Sequence, residues 1–136
     1  MFQTTQTIRF GDCDPAGIVF YPNYLRWFDG TFHALLRSRG KGHQELCAGL
    51  GLVGMGLMEV GARFRSPATD GDTLTLSVEV GEWRERSVRF LYQGRVGDRL
   101  VLDGFELRGL FVGKGEALGL SPVAPLKAYL EQPPVR

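Results

Sequence analysis

A chain of 136 residues is the length of one domain, long enough to bury a core. Sixteen Lys and Arg balance fifteen Asp and Glu, and a net charge of +1 excludes a polycation built to neutralise nucleic-acid phosphates. Hydrophobic residues make up 43% and charged residues 23%, ordinary globular values that exclude a disordered chain.

Residues 4–10 read as a short strand, with Thr5, Thr7 and Arg9 on one side and Gln6, Ile8 and Phe10 on the other. Gly11 to Gly17 packs two acids, a proline and two glycines into seven positions, which is loop chemistry. Pro22 suits the first turn of a helix, where a missing N–H costs nothing. Helical spacing then runs from Asn23 to Arg39. Leu25, Phe28, Phe32, Leu35 and Leu36 form the apolar face; Arg26, Gly30, His33 and Arg37 lie opposite. Gly40 stops the helix, and residues 43–48 form a short second one.

Strands follow over 52–65, 73–80, 87–96 and 100–112. The second of these alternates cleanly, with Leu74, Leu76, Val78 and Val80 against Thr73, Thr75, Ser77 and Glu79. Val88, Phe90 and Tyr92 share one side of the third, and Phe105, Leu107 and Phe111 one side of the fourth. Asp70-Gly71 and Gly97-Asp98 are turns between them. Residues 121–130 read as a terminal helix capped by Ser121, with Pro122 at its first position. Short connections favour antiparallel pairing, and a sheet with one dry face buries a long amphipathic helix against it.

Two cysteines, Cys13 and Cys47, are too few for a disulfide framework or a four-cysteine zinc site. The N-terminus has no signal-peptide core, and no run approaches the ~18 apolar residues of a membrane span. The expectation is one cytoplasmic domain over 1–136, without membrane or nucleic-acid partner.

Chemistry concentrates just before the long helix. Unpaired N–H groups and the helix dipole there favour an oxygen that develops negative charge. A nearby carboxylate can serve as nucleophile or general base. The plainer reading of Asp12 and Asp14 is an Asx-turn or a helix cap. Asp29 shares the apolar face of the helix, so it is either bonded in the core or lines a pocket. A Cys13 nucleophile with His33 or His43 as base has no spacing to support it, and Asp12, Asp14 and a histidine match no metal signature. Glu59 has Arg63 for a partner on its own strand face. Arg84 and Arg86, between two strands, either grip phosphates or form a solvated turn. The glycines at 54 and 56 lack the context of a dinucleotide fingerprint and mark a bulge or a close backbone approach.

The run Gly11-Asp12-Cys13-Asp14-Pro15-Ala16-Gly17-Ile18-Val19-Phe20-Tyr21-Pro22-Asn23-Tyr24-Leu25-Arg26-Trp27-Phe28-Asp29 closely resembles the signature of the 4-hydroxybenzoyl-CoA thioesterase family. The element order resembles that family's hotdog fold over nearly the whole chain. The resemblance implies an α+β protein with an antiparallel sheet wrapped around one long central helix. It implies a homodimer with shared active sites, and dimers pairing into a homotetramer. The substrate it implies is an acyl-CoA, hydrolysed to free acid and CoA with no metal and no cofactor.

Residue by residue, the resemblance makes Asp14 the catalytic carboxylate and the Tyr21 N–H the oxyanion donor, with Gly17 allowing close approach of loop and ligand. Pro22 stands after Tyr21, as in the branch acting on aromatic acyl groups, where the short-chain branch carries His. Asp29 matches an acid that meets a polar group on the acyl ring. Met55 stands where a hydroxybenzoyl-specific enzyme is expected to carry a polar pocket residue, which makes this pocket more apolar. Arg84 and Arg86 match a basic turn that meets CoA phosphates, with Glu85 departing from the pattern between them. Two other readings use the same fold. A non-catalytic module binding acyl-CoA or an acyl carrier has no need of Asp14, and a dehydratase relies on a histidine constellation that this loop lacks.

Overall fold

The computed structural model describes residues 1–136. Six strands, β1 (Phe2–Thr7), β2 (Gly54–Phe64), β3 (Thr73–Trp83), β4 (Val88–Val96), β5 (Arg99–Lys114) and β6 (Ala117–Ser121), accompany three helices, α1 (Pro22–Ser38), α2 (His43–Leu50) and α3 (Ala124–Leu130). Strand order in the sheet is β1-β3-β4-β5-β2, with β6 paired to β5. The chain divides into two compact units, and α1 and β2 to β5 contribute to both.

The first unit holds Met1–Phe32, Gly61–Glu79 and Leu91–Phe105. Here β1 pairs antiparallel with β3, from Phe2 opposite Val78 to Thr7 opposite Thr73. Leu74, Leu76 and Val78 are buried, as their alternation predicts, and so is Ile8 just past the end of β1. Phe10, by contrast, is 84% exposed, because a one-turn 3-10 helix over Phe10–Asp12 follows the strand and breaks its alternation. Phe28 of α1 stacks on Tyr92 of β4, ring centroids 4.5 Å apart. Burying rings of this size contributes about 1.5–3 kcal/mol each. Thr31, also buried, donates to the Trp27 carbonyl at 2.8 Å and lies 2.9 Å from the Thr4 hydroxyl.

Gly104 makes room for that packing. A Cβ there would fall 2.5 Å from the Gly61 carbonyl oxygen and 2.7 Å from Phe28. Backbone cannot yield as a flexible side chain does, so Gly104→Ala is expected to cost about 1–3 kcal/mol. Thermal unfolding reads this as a lower Tm; an unchanged Tm would mean that α1 does not sit on β5 at this point.

The second unit holds His33–Val60, Val80–Phe90 and Glu106–Arg136. Leu35 and Leu36 continue the buried face of α1, and Tyr129 of α3 donates its hydroxyl to the Leu36 carbonyl at 2.7 Å. The C-terminal end departs from the expected terminal helix. Ser121 does not cap a helix but closes β6, opposite Leu110 of β5, and α3 starts at Ala124 after Val123. A hairpin turn at Gly115 (φ 62°) and Glu116 returns the chain. The two helices on either side of Gly40 do match the expectation: α1 ends at Ser38, Gly40 has φ 114°, and its N–H bonds Arg37 O at 3.0 Å. No helix is long and apolar enough to cross a membrane.

Candidate active site

The loop before α1 is a closed, hydrogen-bonded structure. Asp14 N–H donates to Ile18 O and Gly17 N–H to Asp14 O, each at 2.9 Å. Cys13 and Val19 pair as an antiparallel bridge, and Val19 N–H reaches Ala68 O at 2.9 Å. Gly17 has φ 83°, a conformation that side chains with a Cβ rarely adopt, while a Cβ there would meet no atom within 4 Å. Its backbone, rather than crowding within the chain, demands glycine.

The two acids of the loop separate by what they hold. Asp12 is a structural residue: its carboxylate accepts the Arg9 N–H at 2.9 Å, and its carbonyl accepts Phe20 N–H and the Asn23 side-chain amide, both at 2.9 Å. These bonds fix the entry into α1. Asp14 forms an Asx-turn, Oδ1 accepting the Ala16 N–H at 2.8 Å. One carboxylate oxygen is thus anchored on a half-buried residue, and the side chain is held in one orientation.

Tyr21 is the residue immediately before the helix. Around it, Val19 N–H goes to Ala68 O, Phe20 N–H to Asp12 O, Asn23 N–H to Phe20 O and Tyr24 N–H to Tyr21 O. Pro22 has no N–H to offer. The Tyr21 amide is the one N–H of this stretch not tied back into the chain, and it sits at a helix N-terminus, where the dipole favours negative charge. The Tyr21 ring is 60% exposed and packs edge-on against Phe20 and Phe64, at 5.6 and 6.3 Å between centroids. Phe64, from the end of β2, also lies 5.8 Å from the Tyr24 ring. Sequence reasoning passed over Phe64, because only folding brings β2 to this loop. Burial pushes the Tyr24 hydroxyl up to about 12, against an opposing backbone hydrogen bond at Ala68, so this phenol stays neutral at ordinary pH.

Asp29 is half-buried on α1, between the fully buried Phe28 and Thr31, rather than enclosed in the core. Glu59 and Arg63 are both exposed, and Arg65 forms the ion pair seen in this stretch, 2.9 Å from Asp103. Cys13 is half-buried, its thiol directed at Arg9 O at 3.6 Å. No three His, Cys, Asp or Glu side chains converge as metal ligands do.

In the second unit, Arg84 and Arg86 lie in the connection between β3 and β4, which Arg84 N–H closes onto Ser87 O at 2.9 Å. Both side chains are more than half exposed. Arg84 contacts Glu82 at 3.3 Å, and Arg86 donates to the Leu120 carbonyl at 2.6 Å and lies 4.0 Å from Glu85, so each exposed guanidinium has a carboxylate beside it. Met55 is 2% exposed on β2. The glycine after it leaves space for the Phe111 ring, 2.7 Å from where a Cβ would be. The His33 and His43 rings lie 5.2 Å apart and line an open cleft of about 720 Å³ with Arg37 and Glu45.

The feature of this unit that sequence reasoning missed is a buried ion pair. Arg108 binds Glu106 through two parallel bonds, Nε to Oε1 and Nη2 to Oε2, both 3.0 Å, with side chains 4% and 0% exposed. The signal was present in the sequence: Glu106 and Arg108 are two apart on one strand, on the same face as Leu102 and Leu110. Phe105, Leu107 and Phe111 drew attention to the opposite face, which is only half-buried.

Known proteins bear on this arrangement. Residues 16–102 match the Thioesterase superfamily. The chain is 36% identical over 121 residues to 4-hydroxybenzoyl-CoA thioesterase of Pseudomonas sp. (strain CBS-3), covering 83% of this chain and 84% of that protein. A 4-hydroxybenzoyl-CoA thioesterase crystallised as an aspartate-to-asparagine mutant with 4-hydroxybenzoyl-CoA superposes with a TM-score of 0.84 at 31% identity, over 95% of this chain and 96% of that one. A gentisyl-coenzyme A thioesterase superposes with a TM-score of 0.79 at 25% identity, over 92% and 98%. The hotdog fold, the antiparallel sheet and the motif before α1 agree with these matches. The chain is an acyl-CoA thioester hydrolase and belongs to the 4-hydroxybenzoyl-CoA thioesterase family of the thioesterase superfamily.

Proposed function

We propose that this enzyme hydrolyses an aromatic acyl-CoA, benzoyl- or hydroxybenzoyl-CoA, to the free acid and CoA. The observation that carries the mechanism is the pairing of an oriented Asp14 carboxylate with an unengaged Tyr21 N–H at the N-terminus of α1. The thioester carbonyl oxygen accepts from Tyr21 N–H, and the charge that develops on it is stabilised there. One such donor contributes roughly 2.7–4 kcal/mol to lowering the barrier in comparable sites. Asp14 then acts in one of two ways. Its carboxylate attacks the carbonyl carbon, CoA leaves as thiolate, and water cleaves the mixed anhydride. Alternatively it takes a proton from a water that attacks directly. Both routes give the same products. Gly17 keeps the loop in its shape while substrate lies against it, and Pro22 ensures that no second N–H competes at the helix start.

Arg84 and Arg86 are the groups proposed to meet the CoA phosphates, as exposed guanidinium forks suit phosphate oxygens. Met55 is proposed as a wall of the acyl pocket. The functional unit is proposed to be a cytoplasmic homodimer with shared active sites, dimers pairing into a tetramer. β2 supports this: it ends the strand order and exposes Leu57, Met58 and Val60, an edge that invites a partner strand. The aromatic class rests on Pro22 after Tyr21 and on relatives acting on 4-hydroxybenzoyl- and gentisyl-CoA.

Asp29 is proposed to accept a hydrogen bond from a ring hydroxyl. Asp29→Ala is therefore expected to lower kcat/KM for hydroxybenzoyl-CoA by roughly 10-fold or more relative to benzoyl-CoA, since a charged acceptor is worth about 1.5–3 kcal/mol. Steady-state kinetics on the two esters decides it, and equal losses on both would remove Asp29 from ring recognition.

A further inference from the structure

Three aromatic rings stand open at the residue that carries the unengaged N–H, all within the first unit. Phe20 and Phe64 are 49% and 53% exposed, and the Tyr21 ring between them is more exposed still. Tyr21 meets Phe20 at an interplanar angle of 74° and Phe64 at 78°. Edge-to-face contact is a favoured arrangement of aromatic pairs, so the rings brace one another. Phe64 is also held from behind. Its ring lies against the buried Tyr24, and Tyr24 packs edge-on against Trp27 at 5.7 Å. The backbone just after it is fixed to β5, with the N–H groups of Arg65 and Ser66 both donating to Val101 O, at 2.7 and 3.2 Å. The Phe64 ring is thus backed and flanked, and the rest of its surface is open.

The core does not need these rings outside it. Phe28 and Phe32 of the same unit are fully buried. Apolar surface gathered in one exposed place marks a binding surface. The chemistry at Tyr21 says what binds there. In an aroyl thioester the ring is bonded directly to the carbonyl carbon. A carbonyl oxygen held by the Tyr21 N–H therefore brings an acyl ring into the neighbourhood of the Tyr21 side chain and the rings that touch it. The CoA arm on the other side of the carbonyl carries amides, which phenyl rings cannot satisfy, whereas a flat apolar ring gains from their faces and edges. We infer that Phe64, braced by Tyr21 and Phe20, is a specificity-determining residue whose ring packs against the aromatic acyl group of the substrate. The inference rests on the proposed oxyanion role of Tyr21 and on the proposed aromatic substrate class.

Three variants test this: Phe64→Ala, Phe64→Leu and Phe64→Tyr. The readout is kcat and KM separately for benzoyl-CoA and butyryl-CoA, alongside thermal unfolding and sedimentation. Phe64→Ala is expected to reduce the preference for benzoyl over butyryl roughly 10-fold in kcat/KM, mainly through KM, as the loss of an aromatic contact does. Phe64→Leu keeps apolar bulk without a π-face and is expected to lose about 3-fold. Phe64→Tyr keeps the face and is expected to hold the preference within about 2-fold. Equal losses on both esters, or a lower Tm or changed sedimentation with the preference intact, would make Phe64 a packing or subunit-contact residue and overturn the inference alone. A parent enzyme with no preference for benzoyl-CoA would overturn the aromatic reading, and the inference with it.

Discussion

Asp14→Asn is expected to lower kcat for the best acyl-CoA by about 10²- to 10⁴-fold, the usual contribution of a positioned carboxylate. The fold should barely change. Asparagine retains an oxygen in the place of Oδ1, so the Ala16 N–H keeps its acceptor and the Asx-turn survives. What is lost is the negative charge that attacks the carbonyl or takes a proton from water. KM should change little, because the role proposed for Asp14 lies in the chemical step rather than in holding the substrate. The comparison that isolates the effect is Asp12→Asn. That change weakens the acceptor of Arg9 N–H and disturbs the entry to α1, so its signature is a lower Tm with far less change in kcat. A folded Asp14→Asn enzyme with wild-type turnover would remove the carboxylate from the mechanism.

The largest stability effect belongs to β5. Arg108→Met alone removes the bidentate guanidinium from a Glu106 carboxylate that is 0% exposed. Leaving a buried charge uncompensated costs about 3–5 kcal/mol, a fall in Tm of roughly 10–20 °C for a domain of this size. Replacing both residues, Glu106→Leu with Arg108→Met, is expected to recover most of that loss, because no charge then remains in the core. Recovery stays incomplete, since Met55 O loses its donor. Urea or thermal unfolding of the two variants measures the difference directly. A single variant as stable as the parent would mean that Glu106 is hydrated in solution.

The parts of this molecule that were legible in the sequence are those whose causes are local. The loop from Gly11 to Pro22 is held by bonds between residues a few positions apart, so its residues announce its shape. The strict alternation of Leu74, Leu76 and Val78 and the spacing of Phe28, Phe32, Leu35 and Leu36 on α1 each report one dry face directly. The missed features depend on distant neighbours. β6 fully buries none of its residues, so no apolar rhythm marks Ala117–Ser121 as a strand; its pairing with β5 does. Arg108 reaches Met55 across 53 positions, and His43 reaches it across 12. Two charges on an apolar strand face are written in the sequence, but their satisfaction is visible only once β2 and α2 surround them. Phe64 likewise becomes part of the Tyr21 cluster only through folding. Asp12 and Asp14 look equivalent as letters, and only the hydrogen bonds divide a structural acid from a candidate catalyst.

The most direct measurement is the rate of CoA release by the purified enzyme over a panel of acyl-CoAs. Benzoyl, 3- and 4-hydroxybenzoyl, phenylacetyl, short-chain and long-chain esters would be followed by detection of the free thiol. Fast hydrolysis of the aroyl esters, well above the aliphatic ones, is the predicted result. Preference for an aliphatic ester would contradict the aromatic assignment, and tight binding of acyl-CoA without release of thiol would contradict catalysis by Asp14 altogether.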